Sequence, residues 1–292
     1  MSSTTSASRR LTKSVILTVD MYSFGPLPRQ KRSGNVIGTH QKIDRIARRH
    51  LNELLGKPAE FPAAKEILHF EGSRGPDGVK LKSPGKDEPW HFIDPTKPHE
   101  GPLISTIQDH HDNLVTALRA KDMIRAAFEA AWLAHAVTDG LTPAHQDNYA
   151  EQLAEMGNDH TERKSVRQKI IVGGASKRAV IKNNWDYWGT KGILTTHTLF
   201  EGGVATATKP FKFKTGLPSQ HDLEELRVDG FEALYLRLVT EVASLHMYDE
   251  FKRTGWTSRL ARETNNDLLP RIIVAVTLAW YSALQEANNG TN

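Results

Sequence analysis

The chain has 292 residues, a length that suits one large domain or a domain with embellishments. It contains no cysteine, which excludes disulfides, thiolate zinc sites and cysteine nucleophiles, so any bound metal must be held by histidines and carboxylates. The formal net charge of +4 is mildly basic. No run of about 18 apolar residues occurs, so the sequence predicts no transmembrane segment.

Residues 1–33 predict a flexible N-terminal tail or a strand-like arm. The segment begins rich in Ser and Thr, continues with Arg9, Arg10 and Lys13, and then has a short apolar run that stops at Asp20. No small-x-small cleavage site lies near this run, so it makes a poor signal peptide. The sequence therefore leaves the localisation open.

A helix is predicted directly after the Gly-Thr-His sequence of residues 38–40. Thr39 can cap this helix, and His40 lies on its first turn. His40 is either a simple helix-start residue or a metal ligand. It lies on roughly the same side of the helix as Ile43 and Ala47 of the apolar stripe. That stripe comprises Ile43, Ile46, Ala47, Leu51, Leu54 and Leu55.

Two loops downstream contain further candidate ligands. Residues 71–78 read Glu-Gly-Ser-Arg-Gly-Pro-Asp-Gly and are rich in turn formers, so Asp77 taken alone is typical of a turn aspartate. His91 lies between Trp90 and Phe92 in a proline-bounded loop. That setting argues against an ordinary solvated position for His91.

The most informative pattern spans residues 135–145, which read His-Ala-Val-Thr-Asp-Gly-Leu-Thr-Pro-Ala-His. Positions four apart share one helix face, so His135 and Asp139 can reach one cation, although such a pair is also typical of a helix salt bridge. Residues 140–143 should break the helix and deliver His145 from a new direction. The result would be a pocket suited to a zinc ion with an open coordination position.

The surroundings of this pair favour a metal. Phe128, Trp132, His135 and Asp139 follow one another at helical spacing, so the pair continues an apolar stripe that points inward. Burying a carboxylate on such a stripe is costly unless a positive charge neutralises it. No Lys or Arg lies within the next turn on that face, so we expect a divalent cation.

A second pair, His197 and Glu201, repeats the four-residue spacing on another predicted helix, where a surface pair would look the same. A basic insertion of about residues 148–195 precedes it. Residues 162–214 hold eleven Lys and Arg against three Asp and Glu, a local charge of +8. This segment is either a solvated, lysine-rich surface or a contact for anionic lipid, nucleic acid or phosphorylated substrate.

The remaining pattern is helical and predicts an all-α, multi-helix, bundle-like domain over residues 34–288. Helices are expected at about 104–118 and 121–138, and further helices start near Asp222 and Asn266. No period-two alternation lasts long enough to suggest a sheet. The other histidines considered show no partner spacing and are predicted to be ordinary: His99, His110, His111, His160, His221 and His246.

Taken in chain order, the candidate ligands resemble the bacterial zinc-dependent phospholipase C family, including its clostridial alpha-toxin branch. The motifs that carry the resemblance are Gly-Thr-His40, Pro-Asp77, His91-Phe-x-Asp-Pro, His135-x3-Asp139-x5-His145 and His197-x-x-Phe-Glu201. They cover about residues 38–202. A family of zinc-dependent single-strand nucleases shares the fold but closes with His-x3-Asp, so Glu201 favours the phospholipase side.

The resemblance implies a helical domain in which two or three zinc ions line a cleft. The ligands implied for one ion are Asp77, His91, His135 and Asp139. Those implied for a second ion are His145, His197 and Glu201, together with water.

The third implied ion would take His40, a shared Asp139 and the free amino terminus of a mature chain that begins with tryptophan. No tryptophan precedes Trp90. Either the third ion is missing, another group such as Asp20 substitutes, or cleavage exposes a different residue. Family members are usually secreted.

The expected function is hydrolysis of a phosphoric ester, with phospholipid as the first substrate class, by a zinc-activated water that attacks phosphorus. Asp77 is the expected residue to orient or deprotonate that water. Single-strand nucleic-acid cleavage on the same fold is the first alternative. A degenerate, non-catalytic zinc-binding protein that contacts partners through its basic insertion is the second.

Overall fold

The computed structural model describes residues 38–83, 90–158, 162–208 and 215–289, and these ranges contain helices and loops without a β-strand. The predicted all-α class is thereby confirmed. The predicted tail, residues 1–33, lies outside the described residues.

The helices agree with the predicted periodicity. Those expected at 104–118 and 121–138 are found within two residues at each end. The α-helices of the described ranges are α1 Thr39–Leu55, α2 Ala64–Ile67, α3 Pro76–Lys80, α4 Leu103–Arg119, α5 Met123–Gly140, α6 Tyr149–Glu155, α7 Val166–Ile170, α8 Lys177–Trp188, α9 Ile193–Thr208, α10 Gln220–Ser244, α11 Met247–Thr254, α12 Ser258–Glu263 and α13 Leu269–Asn289. Short 3-10 turns occupy Leu68–Phe70, Gly72–Arg74 and Pro143–His145.

Helix α5 forms the centre of the main core. It is paired with α4 through a three-residue connection, and α1 and α13 also pack against it. Six alanines of α5 are buried, and such small side chains allow neighbouring helices to approach closely: Ala126, Ala127, Ala130, Ala131, Ala134 and Ala136. The indole Nε1 of the fully buried Trp280 donates to the Ala130 carbonyl at 3.0 Å and joins α13 to α5.

One helical run of the described residues, Ser258–Asn289, is long and apolar enough to cross a membrane by length and composition alone. It comprises α12, the π-helical turn Thr264–Leu268 and α13. However, 67% of its apolar window is buried inside the protein. This burial is typical of a core helix.

Helix α10 consists of two helical halves that meet at Gly230, where φ is 83° and ψ is 173°. Glycine suits this position because φ is positive. Because of the kink, the Nε of Arg237 donates to both carboxylate oxygens of Glu225, at 2.8 and 2.9 Å, although the two residues are twelve positions apart. On a straight helix they would lie about 18 Å apart.

The predicted basic insertion has a small core of its own. Its buried apolar members are Tyr149, Leu153, Val172 and Tyr187. Asn184 fastens the connection inside it, since its side chain accepts from Val172 N at 3.1 Å and donates to Val172 O at 2.7 Å. Trp90 and Phe92 pack against this small core, which therefore lies beside the loop that contains His91.

Candidate metal centre

The pattern at 135–145 folds as its local sequence predicts. His135 and Asp139 share one face of α5, with His135 Nε2 3.4 Å from Asp139 Oδ2, and both are almost fully buried. The helix ends at Gly140, and the 3-10 turn Pro143–His145 then directs His145 towards the loop of His91. The predicted break and change of direction are thus confirmed.

The first group of candidate ligands converges on Asp139. His91 Nδ1 lies 2.9 Å from Asp139 Oδ2, and His40 Nε2 lies 3.3 Å from Asp139 Oδ1. The rings of His40 and His135 are stacked with centroids 4.0 Å apart, and His135 Nε2 is 3.5 Å from Asp77 Oδ1. Potential ligand atoms of His91, His135 and Asp139 all lie within 4.8 Å of one another, as do those of His40, Asp77 and His135.

The second group joins residues that are far apart in the chain. Oε1 of Glu201 lies 3.2 Å from His145 Nε2 and 3.1 Å from His197 Nε2, and the three ligand atoms lie within 4.8 Å of one another. His197 and Glu201 come from α9. The long insertion between His145 and His197 therefore does not separate them in space.

The two groups adjoin through the loop of His91. His145 Nδ1 donates to the His91 carbonyl at 3.1 Å, and Ile93 N donates to the His145 carbonyl at 3.0 Å. All eight predicted ligands consequently lie in two neighbouring clusters: His40, Asp77, His91, His135 and Asp139 in the first, and His145, His197 and Glu201 in the second.

The hydrogen bonding of His145 supports a cation in the second cluster. A carbonyl oxygen can only accept, so the proton of a neutral His145 ring is on Nδ1 and its Nε2 carries a lone pair. That lone pair faces a carboxylate oxygen of Glu201 at 3.2 Å. Two acceptors at this distance repel unless a second proton or a metal ion lies between them, so the donor set fits a metal.

Glu71 is a contributor that sequence reasoning missed. It is buried, and its Oε2 lies 3.3 Å from His135 Nδ1, so it can accept that N–H and direct Nε2 towards Asp77 and Asp139. Burial lowers the pKa of His135, but the charges of Asp139, Asp77 and Glu71 outweigh it and raise the pKa well above its usual value. The same negative field attracts a divalent cation.

Lys80 supplies a positive charge beside Asp139 that the sequence did not indicate. Its Nζ lies 3.3 Å from Asp139 Oδ2 and 3.6 Å from Asp77 Oδ1. Burial lowers the pKa of Lys80, but these two carboxylates outweigh it and raise the pKa. The sequence argument considered basic residues only on the face of α5, whereas Lys80 is contributed by α3. That helix also accommodates Asp77, in a region expected to be a turn-rich loop.

The candidate carboxylate ligands keep their charge although they lie among buried side chains. Burial raises the pKa of Asp77, Asp139 and Glu201, but neighbouring histidine charges, with Lys80 acting on the two aspartates, bring each below its usual value. The three carboxylates are therefore ionised at neutral pH. By contrast, burial and the charge of Glu71 raise the pKa of the nearby Asp44.

An aromatic wall borders the second cluster. The ring of Phe92 stacks on His145 with centroids 4.6 Å apart and on Tyr149 at 4.7 Å, and Trp90 lies 4.7 Å from Phe92. His91 is fully buried beneath this wall, and its Nε2 has no hydrogen-bond partner among the described residues. Burial is the largest cause that lowers the pKa of His91 to about 3, which keeps the ring neutral and able to bind a metal.

One smaller sequence prediction was wrong: Thr39 is the first residue of α1 rather than its cap, and Gly38 precedes it. His110, which shows no partner spacing in the sequence, lies with its Nδ1 2.6 Å from Oε2 of the buried Glu129. Glu129 also pairs with Arg125. Spacing could not reveal the His110 pair, because the two residues are on different helices.

In comparisons with known proteins, no family model, curated protein or solved structure matches the chain. Its fold and geometry define it as an all-α protein whose buried histidine and carboxylate clusters can hold metal ions.

Proposed function

We propose that this protein is a zinc-dependent phosphoric ester hydrolase, with phospholipid as its first substrate class. The observation that carries the proposal is the pair of adjoining clusters, which contain imidazole and carboxylate ligands without a thiolate. Such mixed nitrogen and oxygen donors suit zinc in catalytic sites. Two metal positions side by side suit attack on phosphorus, where both the entering and the leaving oxygen need stabilisation.

The proposed ligands follow the two clusters. His91, His135, Asp139 and Asp77 would hold one zinc ion. His145, His197 and Glu201 would hold another. A third ion would use His40 and share Asp139, but the triad that contains His40 also needs His135, and a neutral imidazole has one nitrogen lone pair to give to one ion. This favours two resident ions over three.

Bound zinc would lower the pKa of a coordinated water towards neutrality. Asp77 is ionised and partly accessible, which suits it to orient the attacking water through a hydrogen bond. Lys80 can donate to a phosphoryl oxygen of the substrate. Glu71 accepts from His135 and holds the ring in its ligating orientation. The wall of Trp90 and Phe92 offers aromatic faces to a quaternary ammonium headgroup.

The test begins with the metal content and activity of the purified full chain. We expect about two zinc ions per chain and cleavage of both phosphatidylcholine and a soluble chromogenic phosphocholine diester. A chelator should abolish activity, and added zinc should restore it. His145→Ala should lose one zinc ion and all turnover, whereas the control His110→Ala should keep both zinc ions and its turnover.

Other outcomes separate the alternatives. Cleavage of single-stranded DNA with inert phospholipid would replace the lipid assignment by the nuclease alternative. Bound zinc without turnover of any phosphodiester would overturn the enzyme proposal and leave a non-catalytic zinc protein. Protein that binds no divalent metal at all would overturn the metal assignment as well.

A further inference from the structure

Helix α8 exposes two large apolar side chains one turn apart. Ile181 is 73% exposed and Trp185 is 69% exposed. Residues four apart stack on one helix face, so these side chains form a continuous apolar strip. The opposite face is buried through Tyr187, whose hydroxyl lies 3.4 Å from that of Tyr149. The exposed strip is therefore not the side that holds α8 to the protein.

Basic side chains border this strip. Lys177 and Arg178 lie one turn before Ile181, and Lys182 directly follows it; all three are exposed. The acidic side chain of α8, Asp186, pairs with Lys182 at 2.7 Å, and the helix keeps an excess of positive charge. We name this surface the α8 face and define it by Lys177, Arg178, Ile181, Lys182 and Trp185.

The α8 face is connected to the metal centre by packed rings. Tyr187 on the inner side of α8 contacts Tyr149, Tyr149 stacks on Phe92, and Phe92 stacks on His145. The chain then continues from α8 into α9, which contains His197. The helix that presents the α8 face is thus packed, through its inner side, on the rings that border the second cluster.

Lys169 gives a second attachment of the insertion to the centre. Its ammonium donates to the carbonyl of Lys80, the lysine that contacts Asp77 and Asp139. The insertion is therefore fastened to both clusters, which makes it a fixed border of the centre rather than a remote extension.

We propose that the α8 face docks on an anionic phospholipid bilayer. Trp185 and Ile181 would enter the headgroup region, and Lys177, Arg178 and Lys182 would contact lipid phosphates. The aliphatic Ile181 favours lipid over nucleic acid. Its side chain gains free energy on transfer into hydrocarbon, but it offers no ring on which a base can stack. The inference deepens the proposed function, since it states where the lipid substrate approaches the centre.

The experiment measures co-sedimentation of the full-length protein with vesicles of phosphatidylcholine alone or with about 30% phosphatidylserine, enough to give a negative surface potential. Wild type should bind the anionic vesicles more tightly. The double variant Ile181→Ser/Trp185→Ser should lower partitioning by at least about tenfold. Lys177→Gln/Arg178→Gln/Lys182→Gln should also lower it and reduce its dependence on salt.

A matched control is Ile124→Ser on α5, which removes an apolar side chain that is 77% exposed. It should leave vesicle binding unchanged. Thermal unfolding followed by circular dichroism should show that all variants remain folded. None of the substituted residues is in the metal centre, so hydrolysis of the soluble chromogenic diester should stay at the wild-type rate.

Failure of this inference is distinguishable from failure of the proposed function. Equal vesicle binding by wild type and Ile181→Ser/Trp185→Ser, or no binding by wild type, overturns docking even if the soluble diester is cleaved. If the Ile181→Ser/Trp185→Ser variant binds a single-stranded oligonucleotide more weakly than wild type but binds vesicles equally well, the α8 face would be assigned to nucleic acid instead. Anionic vesicle binding that the variant loses, without cleavage of any phosphodiester, would support docking while removing the enzymatic proposal.

Discussion

The main core and the basic insertion meet at the metal centre but are packed in opposite ways. Along α5 the chain is buried on almost every side, and His135 and Asp139 are 1% and 2% exposed. The described part of the insertion has a buried core of four apolar side chains, and it leaves Ile181 and Trp185 in solvent. The two regions are therefore suited to different tasks.

This difference follows from what each task requires. Ligands that repel one another without a cation must be held by surroundings that cannot relax, and a dense core of helices provides this. A docking surface needs exposed apolar and charged side chains on an element that packs against the protein through one face. The second cluster lies at the boundary, since His145 follows α5 while His197 and Glu201 follow the insertion.

The largest expected effect comes from removing a ligand on the main core. His135→Ala should lose zinc from the first cluster and lower the free energy of unfolding by about 3–5 kcal/mol, because the carboxylates of Asp77, Asp139 and Glu71 lose both the ring and the cation it helps to hold. Urea unfolding with and without chelator measures this. Full zinc content in the variant would show that His135 is not a ligand.

A direct comparison of the two cores uses one substitution in each. Leu133 and Leu153 are both fully buried. We expect Leu133→Ala in α5 to cost about 4 kcal/mol and Leu153→Ala in the small core about 2 kcal/mol, because a sparsely packed site collapses more completely around a lost side chain. Equal losses in urea unfolding would contradict the contrast between the regions.

A smaller effect is expected at Glu71. Glu71→Gln keeps an acceptor for His135 Nδ1 but removes the charge that makes the ring a better ligand, so zinc affinity should fall about 10- to 100-fold. Competition with a chromogenic chelator measures it. The exposed Glu53→Gln on α1 is the control, and equal affinity in both variants would leave Glu71 with only a packing role.

The smallest expected effect is at Glu241, which lies at the surface of α10, a helix of the main core, and serves as the surface reference. Burial raises the pKa of Glu241, but hydrogen bonds from Arg271 and Arg237 outweigh it and lower the pKa. Its contribution is therefore present above the unfolded-state pKa of about 4.3 and is lost as the pH falls through the lowered folded-state value.

Glu241→Gln should accordingly cost about 0.5–1 kcal/mol at pH 7. The difference from wild type should shrink as the pH falls from about 4.3, the unfolded-state pKa, through the lowered folded-state pKa of Glu241. Urea unfolding at several pH values checks this, and a cost that does not change with pH would show that the charge of Glu241 contributes nothing.

The local parts of the structure were predictable because they depend on neighbours in the chain. Helical periodicity indicated α4 and α5, and the four-residue spacing indicated that His135 and Asp139 share a face. The residues after Asp139 indicated the turn to His145. The convergence of His197 and Glu201 with His145 was expected only from the resemblance, since no spacing rule relates residues on either side of a long insertion.

The sequence by itself determined the all-α class, the main helices and the chemical type of the candidate ligands, because backbone periodicity and side-chain donors are local properties. Tertiary structure alone decided that Lys80 contacts Asp139, that Glu71 orients His135, and that α10 folds back at Gly230. Those contacts join separate elements, and their energies exist only once the helices have packed. Tertiary structure likewise decided which face of α8 is buried against the small core and which face is exposed.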